Sequence, residues 1–304
     1  MKFLLFADLH YAPGMFKTFG FDALRLFQKR AKEKNCDMII HCGDLCHPKM
    51  NSDFIEFINA YNNFEIPSYN CMGNHDMDFC STEEIVKLYN MPNDYYYFDK
   101  GGYRFIVTNT SYFYDGTDYV KYDKGNYFAF PDTREIMPPC ELEWLKGAIE
   151  TSDYPCVLFS HASFERCDGL INRDEVLKII DNANKKKKHS VLMCINGHHH
   201  RDNIRILNNV IYYDMNSAST DWVGKPHDKY PAAECAEYEF LANTLCFNDP
   251  LHAIVTLDGT TVTIEGMQSS MYLGVDRKLI GRPEYDAAGR PVTPYVTSAK
   301  ITIH

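Results

Sequence analysis

Acidic, amide and imidazole side chains recur along this chain in a fixed order, as Asp8-Leu9-His10, Gly43-Asp44, Gly73-Asn74-His75-Asp76, His161 and Gly197-His198-His199-His200. Carboxylate oxygen, amide oxygen and imidazole nitrogen form a mixed donor set that suits Mn, Fe or Zn, whereas a Mg or Ca cage is nearly all oxygen. A carboxylate at a strand end, such as Asp44, can bridge two ions held about 3.5 to 4 Å apart, with an activated hydroxide between them. In an extended segment, residues i and i+2 face the same way. That geometry joins Asp8 to His10 and His198 to His200, and turns His199 away. The chemistry indicated is two-metal hydrolysis.

Such side chains must be carried to one place, and the flanking sequence says how. Each motif follows a short apolar run, at residues 3–7, 38–42, 69–72, 157–159 and 191–195, which reads as a buried strand. Loops leaving the carboxyl ends of strands in an open α/β sheet share one edge, where ligand sites form. Helices alternate with the strands. Leu24, Phe27 and Ala31 mark one face of a helix over about 22–34, and Ile55, Ile58 and Tyr61 another over 52–61. Ser81 with Glu84 forms a capping box, and Leu142, Leu145 and Ile149 mark a helix around Trp144. Asp258-Gly259 between two apolar runs is a hairpin signal. The expected fold is α/β, a four-layer α-β-β-α sandwich of two mixed sheets flanked by helices.

The ordered set resembles the calcineurin-like metallophosphoesterase superfamily, whose pattern is DxH, GD, GNH followed by D or E, a lone H, and GHxH. Every position is present. Carried over residue by residue, the resemblance implies one metal on Asp8, His10, Asp44 and His200, and a second on Asp44, Asn74, His161 and His198. It also implies that Asn74 and His75 meet the substrate, that His75 assists the leaving group, and that Asp76 is the carboxylate orienting it. Glu141-Leu142-Glu143-Trp144-Leu145 resembles the helix that precedes the lone-histidine strand in many members, and the match covers roughly residues 1–220. The implied cofactors are two metal ions per chain. The implied reaction is in-line attack of metal-activated hydroxide on a phosphoester. The pattern is similar to class III cyclic-nucleotide phosphodiesterases, so a phosphodiester is the expected substrate, with a phosphomonoester as the alternative. A nuclease is disfavoured by charge, and a non-catalytic scaffold of this fold, like the superfamily's retromer subunit, by the intact ligand set and His75.

Composition sets the outer limits. The chain has 304 residues, 45% of them hydrophobic, ample for one domain over 1–272 with a C-terminal extension over 273–304. A net charge of -10 repels a nucleic-acid backbone and favours a small-molecule phosphoester as partner. The basic block Lys185 to Lys188 reads as a solvated helix end. Eleven scattered cysteines point to a reducing compartment, and Cys36, Cys42 and Cys46 lack the paired spacing of a zinc knuckle. The first apolar run is too short for a signal sequence or a membrane span, so a cytoplasmic protein with no membrane partner is expected. His41 lies inside a strand-like run and reads as packing; His47 can approach the site from its loop. Aromatic-rich additions at about 112–139 and 219–250 could stack a nucleobase or merely pack loops.

Overall fold

The computed structural model describes residues 1–304. Alternation along the apolar runs gives each strand two faces that pack on different layers. In β1 (Lys2–Phe6), Phe3 meets Phe105 and Phe159 edge-on at 6.0 and 6.1 Å, while Phe6 stacks at 4.4 Å on Phe27 of α1 (Gly20–Glu33). The chain continues through β2 (Met38–Cys42), α2 (Ser52–Asn62) and β3 (Ser68–Cys71), and the three strands pair in parallel. Parallel pairing places the carboxyl ends of all three strands at one edge.

After α3 (Thr82–Leu88), capped reciprocally by Ser81 and Glu84 as the sequence indicates, come β4 (Tyr96–Lys100) and β5 (Tyr103–Val107). A small ribbon, β6 (Tyr112–Tyr114) and β7 (Tyr119–Lys121), precedes α4 (Pro139–Glu150), β8 (Cys156–Ser160), α5 (Arg173–Lys186) and β9 (Val191–Asn196). Then follow β10 (Asn203–Leu207), β11 (Val210–Asp214), β12 (Thr220–Trp222), α6 (Ala232–Glu237) and β13 (Thr244–Cys246). The chain closes with β14 (Ala253–Asp258), β15 (Thr261–Glu265) and β16 (Ala299–Thr302).

Two six-stranded mixed sheets result, in spatial order β16-β15-β14-β1-β2-β3 and β10-β11-β9-β8-β5-β4. They face each other across the main core, with α1 and α2 outside the first sheet and α4 and α5 outside the second. This is the four-layer arrangement. The hairpin turn is displaced by one residue from the expected one: Asp258 pairs with Thr261, and Gly259 supplies the positive φ of +55° at the first turn position. Residues 299–302, expected within a C-terminal extension, form the edge strand of the first sheet. No helix is long and apolar enough to cross a membrane. At the end of α5, Lys186 pairs with Glu150 and Lys187 donates to the Ser152 and Asp153 carbonyls, which anchors the basic block to α4 and its following turn.

Candidate metal centre

The loops that leave β1, β2 and β9 are not extended. Asp8, His10, Asp44, His198 and His200 have φ of 51°, 53°, 52°, 68° and 54°, so the i, i+2 argument gives the wrong backbone for these loops. Left-handed geometry costs a non-glycine residue on the order of 1 kcal/mol or more, and it persists where surrounding contacts fix it. Here Asp8 N–H donates to the Gly43 carbonyl and His10 N–H to the Asp44 carbonyl, both at 3.0 Å, and His198 N–H donates to the Asp8 carboxylate at 3.1 Å. Three glycines let the loops close on one another. A Cβ on Gly43 would meet His161 Nδ1, one on Gly73 the carboxylate of Asp44, and one on Gly197 Asp8 Oδ2 at 2.6 Å.

Two groups of donor atoms form as a result. In the first, His10 Nε2 is 3.0 Å from His200 Nε2, 3.9 Å from Asp8 Oδ1 and 3.8 Å from Asp44 Oδ2. In the second, His161 Nε2 is 3.1 Å from Asn74 Oδ1, 3.2 Å from His198 Nδ1 and 3.2 Å from Asp44 Oδ2. Asp44 stands between the groups. His198 and His200 therefore go to different groups. The rings diverge because each residue turns through a left-handed backbone, and His199 gives no atom to either group.

The opposite edge of each ring shows what the centre is built to hold. His200 Nδ1 and His161 Nδ1 lie 2.7 Å from the carbonyls of Thr220 and Cys42, which can only accept, so these nitrogens carry the protons. His47 Nδ1 donates to Asp78 at 2.9 Å, which leaves His47 Nε2 to accept from His10 Nδ1, also at 2.9 Å. His198 Nε2 faces Glu135 at 3.3 Å. In the neutral form, all four rings thus turn a bare nitrogen towards carboxylate and amide oxygens. A cluster made of acceptors alone fits cations, and the outward hydrogen bonds are those that orient metal-binding imidazoles. The electrostatics agree. Against its burial, His161 is raised to about 10 by Asp44 and Asp8, while Asp44, although buried, is held well below the usual carboxylate range chiefly by His161 and His75. The field that holds a proton on His161 is one a metal cation would satisfy instead. His10, whose burial is reinforced by the neighbouring imidazoles, is driven well below its ordinary value.

His75 lies beside these groups with its side chain one-third exposed. Asp76, expected to orient it, does not touch it. That carboxylate is buried and accepts from Asp44 N–H at 3.0 Å, Gly73 N–H at 2.8 Å and Tyr89 O–H at 2.6 Å. Burial and the charge on Asp44 push it up to about 7. The residue that holds His75 is Asp78, whose Oδ2 lies 2.8 Å from His75 Nδ1. The reason is local: residues 74–77 form a 3-10 turn, which brings i and i+3 together. His47 and His75 outweigh burial and hold Asp78 down at about 2, while Asp44 and Asp78 raise His75 to about 9 against its own burial. Sequence reasoning brought His47 near the site without giving it a role, placed Tyr127 only among the aromatic residues of the 112–139 addition, and missed Asp78 and Glu135. Only the spacing of Asp78 from His75 carried a signal. His41 is buried as expected, its Nε2 2.7 Å from Asn70 Oδ1, and takes no part.

A cavity of about 740 Å³ opens over the donor groups, lined by His10, Asp44, Asn74, His75, His198 and His200. Phe16, Trp222 and Phe240 line it as well, Phe16 stacking on Phe240 at 5.4 Å, as do Phe79, Tyr127 and Phe128. Both aromatic additions therefore reach the site, and Trp222 and Phe128 remain exposed there, at 47% and 59%. Other rings in them only pack: Tyr122 and Tyr230 are buried.

The model of the calcineurin-like phosphoesterase family matches residues 1–202. Among solved structures, a dimetal phosphatase from Danio rerio has a TM-score of 0.63 at 14% identity, the match covering 100% of this chain and 99% of that one. GAP50, the anchor in the inner membrane complex of Plasmodium, has a TM-score of 0.54 at 13% identity, covering 89% and 84%. These two likenesses show the fold. No curated protein matches the sequence.

Proposed function

Since the chain belongs to the calcineurin-like phosphoesterase family, a family of phosphoester hydrolases, we propose that it hydrolyses a small phosphodiester with a planar organic group. The observation that carries this reading is the single cavity in which both donor groups, His75 and exposed aromatic rings face the same space. Asp8, His10, Asp44 and His200 would hold one ion of Mn, Fe or Zn, and Asp44, Asn74, His161 and His198 a second. Such ions, when bound, supply Lewis-acid charge for the phosphoryl oxygens and for a nucleophilic water.

The chain's own groups do the rest. Asp78 accepts from His75 Nδ1, so Nε2 is the position free to give a proton to the departing oxygen. Asn74 keeps its amide oxygen towards His161 and His198, and its neighbour His75 meets the substrate. Phe16, Trp222 and Phe240 form an apolar wall suited to a flat ring such as a nucleobase. Eleven free thiols support a reducing, cytoplasmic setting, and the net charge of -10 favours a small substrate over a nucleic-acid polymer.

One observation favours a phosphomonoester instead. Arg134 lines the cavity, and the ion pair it makes is with its neighbour Glu135 at 3.7 Å, leaving charge available for a dianionic group. Protein loaded with Mn, Fe or Zn, assayed on matched nitrophenyl monoester and diester and on cyclic nucleotides, decides between them. We expect the diester or cyclic nucleotide to lead by more than about tenfold in kcat/KM, roughly 1.4 kcal/mol. The opposite ranking supports the monoester. No turnover of any ester by protein that binds two metals would remove the hydrolytic reading and leave a scaffold.

A further inference from the structure

We propose that Tyr127, delivered by the aromatic segment 112–139, is a positioning residue that fixes the His75 ring and the Asn74 amide at once. Its hydroxyl lies 2.6 Å from Asp78 Oδ1 and 3.4 Å from Asn74 Nδ2. Asp78 is ionised and can only accept, so the phenol donates its proton to that carboxylate and its oxygen accepts from the amide. The amide is thereby oriented with Oδ1 towards His161 Nε2 and His198 Nδ1, 3.1 Å from each. The other oxygen of Asp78 accepts from His75 Nδ1 at 2.8 Å and His47 Nδ1 at 2.9 Å, and His47 in turn holds His10.

The network is continuous: Asn74, Tyr127, Asp78, His47 and His10 run from one donor group to the other, with His75 attached at Asp78. Within it the Tyr127 hydroxyl and Nδ1 of His75, His47 and His10 each have an acceptor. The phenol itself is locked in place, for its ring is buried and stacks on Tyr122 at 4.3 Å. The adjacent Phe128 projects into the cavity, so the segment that touches a substrate also sets the proton donor. Removing the hydroxyl leaves Asp78 Oδ1 without its donor and lets both the carboxylate and the Asn74 amide rotate.

The inference rests on the reading of His75 as the leaving-group proton donor, and the test separates the two. Tyr127→Phe keeps the ring stack. With zinc held at a concentration that saturates the variant, its kcat on an alkyl ester should fall about 10- to 100-fold with KM little changed, whereas a nitrophenyl ester with the same phosphoryl part should lose little. Zinc titration should show one of two ions bound about 10- to 100-fold more weakly, because the Asn74 amide is no longer oriented. In an Asp78→Asn background, Tyr127→Phe should add no further loss on the alkyl ester. Equal losses on both esters, independent losses in the double variant, or unchanged zinc affinity would each overturn the proposal. Wild-type protein that binds zinc but hydrolyses neither ester would defeat the hydrolytic reading, while the titration still tests the amide. If Tyr127→Phe does not fold, nitrogen-15 histidine spectra of the zinc-loaded wild type serve instead: the network requires a proton on Nδ1 of His75 and of His47, and a bare Nδ1 on either ring refutes it.

Discussion

Asp76 and Asp78 are two residues apart in one short turn, and the turn gives them opposite duties. Asp76 is a buried acceptor for the backbone amides of Gly73 and Asp44 and for the Tyr89 hydroxyl, so it ties the loop after β3 to the loop after β2. Asp78 faces the cavity and holds imidazoles. Asp76→Ala leaves several buried donors unsatisfied and should lower unfolding stability by about 3 kcal/mol, read from urea denaturation. Asp78→Asn keeps the side-chain shape but withdraws a charged acceptor from His75, His47 and Tyr127, so it should cost less stability than Asp76→Ala while lowering kcat on alkyl esters. If Asp76→Ala were as stable as the wild type, its structural role would be refuted. The donors of both groups were legible in the sequence because they sit inside ordered motifs at strand ends. The partners of Asp78, His47, Glu135 and Tyr127 were not, because what they touch depends on a 3-10 turn and on loops folded over from elsewhere in the chain; of these, His47 and Tyr127 were legible only as residues near the site.

The elements that carry these residues were legible to a different degree. Apolar runs ending in Asp, Asn or His gave the strands β1, β2, β3, β8 and β9, and apolar periodicity gave α1, α2 and α4. Periodicity says nothing of backbone handedness in the loops between them, where an extended reading failed at Asp8 and His10. The loops depend instead on glycine. A methyl group at Gly73 would collide with the Asp44 side chain and its backbone nitrogen, neither of which can retreat without moving the donor groups. Gly73→Ala should therefore retain the far-ultraviolet circular dichroism of the wild type while binding well under two metals per chain by elemental analysis. Full retention of both would show that the loop can yield without cost to the centre.

At the scale of the whole molecule, the sandwich was legible and the assignment of strands to sheets was not. Antiparallel strands β14, β15 and β16 add to the far side of β1, and nothing in their composition distinguishes them from strands of the second sheet. Their place matters because each donor group draws on both sheets: Asp8, His10, Asp44 and Asn74 follow strands of the first, and His161, His198 and His200 follow strands of the second. Metal binding should then stabilise the fold as a unit. With free metal at about 100 times Kd, each site adds about 2.7 kcal/mol, which for a chain of this length raises Tm by about 4 °C per site. Calorimetry of chelator-treated and remetallated protein checks this, and an unchanged Tm would mean that the sheets dock equally well without ions.

That sharing also imposes a schedule on biosynthesis. The last donor in the chain is residue 200 of 304, and the strands that complete the first sheet around β1 lie at 253–302, beyond it. A nascent chain emerging from the ribosome with only its amino-terminal half exposes the oxygen-rich share of the centre, Asp8, Asp44 and Asn74, with a single imidazole among them. Such a half-centre favours hard, weakly held cations over transition metals. Loading with the working metal therefore waits until His198 and His200, and the strands at 253–302 that complete the first sheet, have emerged, and ribosome-bound truncations ending before His198 should not retain it.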